Sequence, residues 1–592
     1  MKLVIVESPN KVRKIKDFLG ADFRVAASFG HMRDLPPTGG LSVEFIDGRI
    51  KPVYAMIERS ARHVKELSEL AKKAEEVILA TDPDREGEAI AWHVSQLLGD
   101  RKYSRVVFHA VTKAEVQKAM AKPRPIDQHL VDAQQARRVL DRVVGWVVSP
   151  TLRKVSKDAR SAGRVQSVAL RLVADREKDI AKHKTVDYFV LSARLEKNGA
   201  PPPFAAKLIT WKDHPLGQRL RDPALAEKTV DWAKTVPWRV LSCDRRDSAR
   251  NPPPPFTTAT VQQAASVRLG FNPDATMKHL QALFEDGKIT YHRTDSTALS
   301  PEGLAEARAV IKKEFPPEYL PKTPIVHATK SANAQEAHEA IRPTHPETGA
   351  DALGGGDAGK LYRLIWQRFV ACQMAPGRDQ ITTIDVACAP DEWKNEKGEP
   401  VPRGVFQAKG KVLLFDGWRR LAGEDATEEA KKKGKREGDE EEDGDGELPM
   451  LDPGDPLTLL GLDALKRSTK PPPRYTQASL IKKLEAEGIG RPSTYAAIMR
   501  VILERGYVTE EKRKLHATPL GVSASDFLVR HYTGNFIDMD YTRRLEDDLD
   551  KIARGEASWE KIVTEASFAV IALARGAGLW YDPLIPRPPR KS

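Results

Sequence analysis

The sequence predicts a multidomain protein that combines a parallel-sheet α/β domain with helical domains and a separate strand-rich region. Three observations indicate this fold class. At 592 residues the chain is too long for one ordinary hydrophobic core. Residues 1–120 alternate short continuous apolar runs with helical periodicity, which is typical of parallel strands covered by helices on both faces. Helical and strand-like segments then alternate in long blocks over the rest of the chain.

The α/β region contains three predicted buried strands and two predicted helices. Apolar runs place the strands at residues 3–6, 77–80 and 105–108, and the helices at 11–19 and 86–98. Ligands of an open parallel sheet bind beyond the carboxyl ends of its strands. Side chains that directly follow these runs are therefore the first candidates for a functional site.

Composition shifts divide the remainder of the chain. Proline runs at 252–255 and 471–473 block regular structure and mark joints, and the charged stretch 423–448 has no face to bury and is expected to be a mobile loop of unknown role. The predicted units are a parallel-sheet domain at 1–125 (with 35–60 a candidate to join the helical domain), a helical domain at 126–185 and 466–580, a strand-rich region at 186–252 and 378–465, a mostly helical domain at 253–377, and a short basic tail at 581–592.

Charge favours a polyanionic partner without identifying one. The chain carries +12, and because residues 423–448 contribute −7, the rest carries +19. A merely soluble basic protein fits the charge equally well. The three cysteines, Cys243, Cys372 and Cys388, form no C-x-x-C pair, so neither a disulfide framework nor a zinc ribbon is predicted. No signal peptide or membrane helix is predicted either, so the expected location is the cytoplasm.

Acidic residues follow two of the predicted strands. Glu7 follows the first, and Asp82, Asp84 and Glu86 follow the second. Carboxylates at one edge of a sheet suit Mg²⁺, and Lys11 in the next helical turn is placed to meet a phosphate. The alternative is that Asp82 or Asp84 caps the following helix. A single Asp favours the cap, whereas four acids after two strands favour the metal.

A second candidate site is Tyr291 with Arg293. A tyrosine attacks phosphorus when nearby cations stabilise its phenolate and the phosphoryl oxygens. Arg293, two residues on, lies on the same side if the segment is extended. Taken alone, a Tyr-x-Arg pair is weak evidence, and Tyr291 would be interpreted as a buried core tyrosine.

The motifs as a set resemble those of the type IA DNA topoisomerase family. Val6-Glu7-Ser8-Pro9-Asn10-Lys11 together with Thr81-Asp82-Pro83-Asp84-Arg85-Glu86-Gly87-Glu88 resembles its N-terminal Toprim domain. The strings that resemble the remainder of the family core, in the family's order, begin at residues 161 (SAGRVQS), 287 (GKITYHRTDST), 337 (AHEAIRPT) and 488 (GIGRPSTY).

The resemblance implies a role for each matched residue. Tyr291 forms a 5′-phosphotyrosyl link, Arg293 stabilises it, Glu7 and Lys11 serve the leaving 3′-oxygen, and His338 lies close to the scissile site. Glu7, Asp82, Asp84 and Glu86 hold Mg²⁺. The positions implied to contact DNA, each of which also fits an ordinary solvated or packed residue, are His31, Arg33, Asp141, Arg142, Gly145, Ser161, Ala162, Gly163, Arg164, Val165, Gln166, Arg342, Arg491, Ser493 and Thr494.

The implied activity is ATP-independent relaxation of negatively supercoiled DNA by a monomeric, nucleoid-associated bacterial enzyme with a toroidal core. No G-x-x-x-x-G-K-[ST] loop for ATP is present in the sequence. A decatenating type IA enzyme is the nearest alternative, and a Toprim nuclease gives Tyr291 no role. Two departures are His292, where the family often has an apolar residue, and the lack of C-terminal tetracysteine zinc modules, from which weaker processivity is expected.

Overall fold

The computed structural model describes residues 1–38, 40–159, 161–197, 200–211, 214–215, 220–327, 339–388, 404–422 and 444–576. The predictions for His338, for nearly all of the charged stretch 423–448 and for the tail 581–592 lie outside these residues. In the part of the chain that is described, no helix combines the length and the apolar character needed to cross a membrane.

The N-terminal region folds around a four-stranded parallel sheet. Its elements are β1 (Lys2–Val6), α1 (Pro9–Leu19), β2 (Phe23–Ala27), β3 (Arg33–Asp34), β4 (Val43–Ile46), β5 (Arg49–Pro52), β6 (Ala55–Met56), α2 (Ala61–Lys72), β7 (Glu76–Leu79), α3 (Arg85–Leu98), β8 (Tyr103–Arg105) and α4 (Lys113–Met120). The strand order is β2-β1-β7-β8, so β1 and β7 are neighbours and their carboxyl ends open at one edge.

The first two predicted strands are confirmed, and the third is shorter than expected. The prediction of a strand at 105–108 is wrong in its end point, because β8 stops at Arg105. Its partner β7 ends at Leu79, so the chain makes one last bond from Val106 N–H to the Leu79 carbonyl and then leaves the sheet.

A helical body and a strand-rich arch follow. Their elements in this passage are α5 (Gln128–Val148), α6 (Arg164–Lys182), β9 (Asp187–Lys197), β10 (Ala200–Trp211), β11 (His214–Pro215), α7 (Pro223–Ala233) and β12 (Trp238–Arg250). The helix α7 within the arch is an element that the strand-rich composition did not predict.

The domain that carries Tyr291 comes next, and the chain then returns through the arch. The elements are α8 (Thr258–Arg268), α9 (Pro273–Glu285), α10 (Pro301–Glu314), α11 (Asp357–Ala371), β13 (Gly377–Cys388), β14 (Gly404–Phe415), α12 (Arg419–Ala422), β15 (Gly444–Asp445) and β16 (Pro456–Ser468). The arch strands are ordered β11-β10-β9-β16-β12-β13-β14-β15, and β10 also pairs with β14. This extra pairing closes six strands into a barrel, which leaves those strands no open edge.

The chain ends its described part in the helical body. The last elements are α13 (Gln477–Ala486), α14 (Tyr495–Glu504), β17 (Val508–Glu511), β18 (Lys514–Ala517), α15 (Pro519–Tyr532), α16 (Met539–Ala553) and α17 (Trp559–Gly576). Their apolar faces share one core with α5 and α6, and four residues of the first domain, Leu35, Leu41, Val43 and Ile50, pack into the same core. Separate stretches of sequence thus build one body.

The Tyr291 domain shares a core with the parallel sheet. Val4 and Ile78 of the sheet belong to the same buried cluster as Phe284, Ile289 and Tyr291. Burial of this much apolar surface favours close apposition of the two domains. The carboxyl edge of the sheet and the tyrosine segment are positioned relative to each other by this shared core.

A buried ion network joins α5, α6 and α16. Glu546 on α16 is fully buried and accepts hydrogen bonds from Arg137 Nη2 at 2.7 Å and from Arg164 Nη1, and Arg491 Nη1 lies 3.8 Å away. Burial alone would raise the pKa of Glu546, but these three guanidinium groups hold it well below its usual range. The ionised carboxylate is therefore the native form at neutral pH.

Glu546→Gln is expected to destabilise the helical body by about 3–5 kcal/mol at neutral pH, because buried arginines lose their counterion. Since the folded pKa is depressed, the stabilisation by ionised Glu546 is present above the unfolded pKa of about 4.3 and is lost as the pH falls below it. Calorimetric unfolding at several pH values measures both effects. Asp548→Asn on the same helix is the matched control, since Asp548 pairs with Lys551 at the surface and its loss is expected to cost less than about 1 kcal/mol. Equal losses in the two variants would contradict the role of the network.

Candidate active site

The loop after β7 is held in one shape by local packing. The side chain of Arg105 is fully buried and donates to the carbonyls of Thr81 at 2.9 Å and Asp82 at 2.7 Å. A Cβ at Gly87 would lie 2.1 Å from the Asp82 carbonyl oxygen, so the close approach requires glycine there. The loop therefore presents Asp82 and Asp84 in fixed positions at the sheet edge.

Tyr291 reaches this edge from the domain that carries it. Its hydroxyl donates to Asp84 Oδ2 at 2.7 Å, and Arg293 Nη1 lies 3.4 Å from the same oxygen. Both side chains thus reach the same carboxylate oxygen, although the segment bends at His292 and Arg293 and is not the extended strand on which the sequence prediction depended. Asp84 Oδ1 meanwhile accepts from Gly87 N–H at 2.9 Å and caps α3. The helix-cap interpretation of Asp84 is confirmed, and it is compatible with a functional role because each oxygen has its own partner.

Hydrogen bonds to three other parts of the chain hold the tyrosine segment in place. Tyr291 N–H donates to the His109 carbonyl of the first domain at 2.8 Å, and Thr290 N–H donates to the Arg342 carbonyl at 2.9 Å. On the other side, the Thr258 hydroxyl donates to the His292 carbonyl at 2.6 Å. The segment has one isolated bridge, between Ile289 and Pro343, and bends at Thr290, His292 and Arg293, so no strand pattern marks it in the sequence.

Burial gives Tyr291 a high pKa. Desolvation raises the pKa of Tyr291 well above its usual value, and the Asp84 carboxylate adds to this, while Arg293 acts in the opposite direction. Tyr291 is therefore a neutral hydrogen-bond donor in the closed arrangement. Attack on phosphorus requires its proton to leave, and Asp84 Oδ2 is in contact to accept that proton.

Two further charged side chains complete the edge. Lys11 of α1 is buried and forms an ion pair with Asp82, and its Nζ lies 4.7 Å from the centre of the Phe284 ring. Glu7 Oε2 is buried and has no hydrogen-bond partner among the described residues. Burial, followed by the charges of Asp82 and Asp84, raises the pKa of Glu7 to about 8, so its carboxyl group is protonated at neutral pH.

Glu86 has its hydrogen-bond partners outside the group formed by Glu7, Lys11, Asp82 and Asp84. Its Oε2 binds His31 Nε2 at 3.2 Å and Gln134 Nε2 at 3.2 Å. Burial alone would lower the pKa of His31, but the hydrogen bond to Glu86 raises it overall. The four acids that the sequence groups into one metal site thus have three different sets of partners. Within the described ranges, no three acidic, histidine or cysteine side chains converge into a ready cation site.

The chemistry of three of the acids still suits a cation. Glu7, Asp82 and Asp84 are close enough to raise the pKa of Glu7, and one buried oxygen of Glu7 lacks a partner. A divalent ion would relieve the repulsion between these carboxylates. Glu86, whose Oε2 contacts both His31 and Gln134, is less suited to join them.

His292 has an unusual environment for its type. It is buried, it packs against Phe284 and Tyr291 with ring centres 5.8 and 5.3 Å away, and neither ring nitrogen has a hydrogen-bond partner among the described residues. Burial, with help from the charges of Arg293 and Lys11, lowers the pKa of His292 well below its usual value. A neutral histidine here fills the apolar position that the family pattern expects.

The predicted DNA-contacting residues fall into two groups, and those of the first are at least partly exposed except for the buried Ala162. Residues 161–163 precede α6, whose N-cap Gly163 makes no side-chain capping bond, so small residues leave the helix N-terminus approachable. Among the other members, Arg33 packs against Tyr54 and Trp92, Arg142 donates to the Leu35 carbonyl, and Asp141 accepts from Arg164. Gly145 lies near Ala162, and the Gln166 side chain lies near Gly163. Ser493 and Thr494 follow Arg491, and the Thr494 hydroxyl accepts from the Arg491 N–H.

The second group is buried in structural contacts. Arg164 is 1% exposed and bound to Glu546, and Arg491 donates to Asp550 Oδ2 at 2.6 Å. Val165 is packed in the helical core. Arg342 binds Glu339 and Glu306 at 2.6 and 2.9 Å. Contact between these arginines and a phosphate requires rearrangement of their ion pairs. The sequence did not single out Glu546 and Asp550, which lie far away along the chain and carry no motif of their own.

Contacts around the carboxyl edge of the sheet hold the two domains together. Asn10 Nδ2 donates to Glu285 Oε2 at 2.7 Å, and Lys14 pairs with Asp286 at 3.0 Å. Gly287 has a φ of +58°, and a Cβ at this position would lie 2.2 Å from the Val111 carbonyl oxygen of the first domain. The closed arrangement therefore depends on glycine at 287.

Gly287→Ala is expected to slow any reaction that needs the closed site by about tenfold or more, since the methyl group meets backbone that cannot move aside cheaply. Gly349→Ala is the matched control, because Gly349 has a φ of +87° in the same domain but no neighbour within 4 Å of its Cβ position. Comparison of the reaction rates of the two variants separates the clash from the backbone strain that they share. Equal rates would contradict the requirement for close apposition.

Comparison with known proteins places this geometry in context. The "DNA topoisomerase" family profile matches residues 125–564, and the Toprim domain profile matches residues 2–111. DNA topoisomerase 1 of Zymomonas mobilis is 40% identical over 573 residues, and that of Campylobacter jejuni is 38% identical over 579 residues. Each alignment covers 95% of this chain, but 45% of the former relative and 77% of the latter.

The length relationship and a solved structure complete the comparison. The chain spans 45% of the Zymomonas mobilis protein and 65% of the Salmonella typhimurium one. The structure of full-length topoisomerase I from Thermotoga maritima matches with a TM-score of 0.78 at 32% identity, covering 96% of this chain and 90% of that chain.

Proposed function

The chain belongs to the bacterial type IA DNA topoisomerase family, and from this premise we propose that it relaxes negatively supercoiled DNA by transient cleavage of one strand. The observation that carries the proposal is the hydrogen bond between the Tyr291 hydroxyl and Asp84. This bond brings a candidate nucleophile into contact with an acid of the Toprim sheet, although the two residues lie 207 positions apart in the chain. A Toprim nuclease would have no use for this contact.

The proposed cleavage step assigns a proton route to both oxygens. The Tyr291 oxygen bonds to phosphorus as the bond from phosphorus to the 3′-oxygen breaks, which leaves a 5′-phosphotyrosyl link. The phenolic proton passes to Asp84 Oδ2, and Glu7, protonated at neutral pH, donates a proton to the leaving 3′-oxygen. Arg293 stabilises the phosphoryl oxygens. Religation runs in reverse, with Glu7 taking the proton of the 3′-hydroxyl group.

Mg²⁺ is the proposed cofactor, since Toprim domains generally bind this ion. Asp82 and Asp84 would hold it, and it would supply positive charge beside the scissile phosphate. Glu7 was predicted both as a ligand and as a proton-transfer group, and its raised pKa favours the proton-transfer role. The assignments of Glu86 to the metal and of His338 to the scissile site stay predictions.

DNA is the proposed substrate, bound as a single-stranded segment. The open N-terminus of α6 supports a phosphate contact, and Arg33 and Arg142 are further partly exposed cations among the predicted DNA-contacting residues. The domain limits, the monomeric state, the independence from ATP and the cytoplasmic, nucleoid-associated location predicted from the sequence are parts of the same proposal. The decatenating subtype is not favoured, because the relatives compared above are named DNA topoisomerase 1.

A plasmid assay tests the proposal. Negatively supercoiled plasmid incubated with the protein and Mg²⁺, without ATP, is expected to give a ladder of progressively relaxed topoisomers. Linked DNA rings in a parallel reaction test the decatenating alternative. Nicked or linear product without a ladder would point to nuclease activity and would contradict the proposal.

A further inference from the structure

Phe29 and His63 form an exposed aromatic pair near the carboxyl edge of the parallel sheet. Phe29, in the loop after β2, is 53% exposed, and its ring stacks on His63 of α2 with centres 4.1 Å apart and an angle of 21° between the ring planes. A large apolar ring in water is not unusual by itself. This ring is nevertheless fixed in orientation by a second flat ring, and one of its faces is turned away from that partner.

The backbone at Phe29 adopts a conformation that bulky residues rarely take. Its φ is +58°, in the left-handed region, and Gly30 follows with a φ of +86°. Glycine or asparagine would occupy such a position with less strain. Strain of this kind persists where the surroundings impose it, and it is concentrated at functional sites. The conformation keeps the Phe29 ring at the surface instead of in the neighbouring core.

The loop of Phe29 is attached directly to Glu7. Ser28 N–H donates to the Val6 carbonyl at 2.9 Å, and Gly30 N–H donates to the Glu7 carbonyl at 3.3 Å. The strand order β2-β1-β7 places this loop on one side of Glu7 and the Asp82–Asp84 loop, with Tyr291, on the other. The loop that carries Phe29 therefore flanks the residue that is proposed to serve the leaving 3′-oxygen.

We infer that Phe29, backed by His63, is a stacking platform for a DNA base on the 3′-hydroxyl side of the cleaved bond. This inference rests on the proposed function. The phosphotyrosyl end stays with Tyr291 on the β7 side, so the fragment that carries the 3′-oxygen leaves past Glu7 toward β2. An exposed π-face is what an unpaired base stacks on. Arg59, exposed just before α2, supplies a cation for an adjoining phosphate, and the exposed Arg62, which pairs with Glu66 at 2.9 Å, is a second cation on the same turn. The platform makes Phe29 a positioning residue that influences where the strand is cut.

The test combines variants of Phe29 with single abasic positions in a short single-stranded oligonucleotide of defined cleavage site. With the wild-type protein, an abasic site at one position upstream of the cut is expected to weaken binding and cleavage by about tenfold, the size of one lost base–aromatic stack. In Phe29→Asn, which tolerates the left-handed backbone, the intact oligonucleotide is expected to show the same weakening, and the abasic site no further effect. Phe29→Trp keeps a π-face and is expected to restore the wild-type abasic profile.

Controls separate stacking from folding and from failure of the proposed function. Phe568 is an aromatic residue of α17, 47% exposed and packed on Phe45, and Phe568→Ala is expected to leave the abasic profile unchanged. An abasic profile in Phe29→Asn identical to that of the wild type would overturn the inference. Anisotropy with Mg²⁺ omitted measures oligonucleotide binding without cleavage. A wild-type protein that binds with the expected profile but never cleaves would overturn the proposed function and leave the platform standing.

Discussion

Tyr291→Phe is expected to lower plasmid relaxation by a factor on the order of 10⁴ or more, because the only atom removed is the oxygen that attacks phosphorus. The variant keeps the ring that packs on Phe284 at 5.1 Å and the backbone bond to His109. Its fold and its affinity for single-stranded DNA are therefore expected to stay close to those of the wild type, within about 1–2 kcal/mol for the lost hydrogen bond. Relaxation rate, single-strand affinity and thermal midpoint measure the three quantities.

Tyr319→Phe is the matched control for this substitution. Tyr319 is buried in the same core, and its hydroxyl donates to Asp416 Oδ1 at 2.6 Å, so the chemical change and the lost contact are closely similar. Normal relaxation is expected for this variant. If Tyr291→Phe relaxed plasmid at the rate of Tyr319→Phe, the nucleophile would have to be another residue.

The second large effect is expected at the acids. Asp82→Asn combined with Asp84→Asn is expected to reduce relaxation by about 10³-fold across a Mg²⁺ titration, since several kcal/mol of charge stabilisation at the phosphate is lost. Calorimetric titration of Mg²⁺ into the protein is expected to show weakened binding independently of activity.

Two companion variants make this result specific. Asp82→Asn leaves the buried Lys11 without its counterion, so Lys11→Met with Asp82→Asn tests for folding defects by removing both charges. Glu86→Gln changes a neighbouring acid in the first turn of α3, whose contacts are to His31 and Gln134, and a loss of less than about tenfold is expected. If Glu86→Gln lost as much relaxation activity as the double variant and bound Mg²⁺ as weakly, Glu86 would have to be counted among the metal ligands.

Local sequence patterns predicted much of the fold. Apolar runs followed by acids identified β1 and β7 and put Glu7 and Asp84 at the same edge, because neighbouring parallel strands end together. The two-residue spacing of Tyr291 and Arg293 likewise predicted that both side chains point one way. These features depend on a few adjacent residues, so they are visible in a single sequence.

Long-range partners were not predictable in this way. The pairing of Lys11 with Asp82 and of Tyr291 with Asp84 divides the acids among different partners, and neither contact has a local signature. The ion pair between Arg164 and Glu546 joins residues that are 382 positions apart in the sequence. Closure of the arch by the β10–β14 pairing is equally remote in sequence. Such contacts are set by which bodies pack together, and the sequence motif shows only one member of each pair.

The covalent bond between the protein and DNA identifies the nucleophile and the polarity of cleavage. Single-stranded oligonucleotides labelled at either the 3′ or the 5′ end are incubated with the protein and Mg²⁺, the reaction is stopped with denaturant, and the labelled peptide is sequenced. If Tyr291 is the nucleophile, the 3′ label alone stays attached to the protein and the attachment maps to Tyr291. Attachment of the 5′ label, or attachment at any other residue, would contradict this assignment.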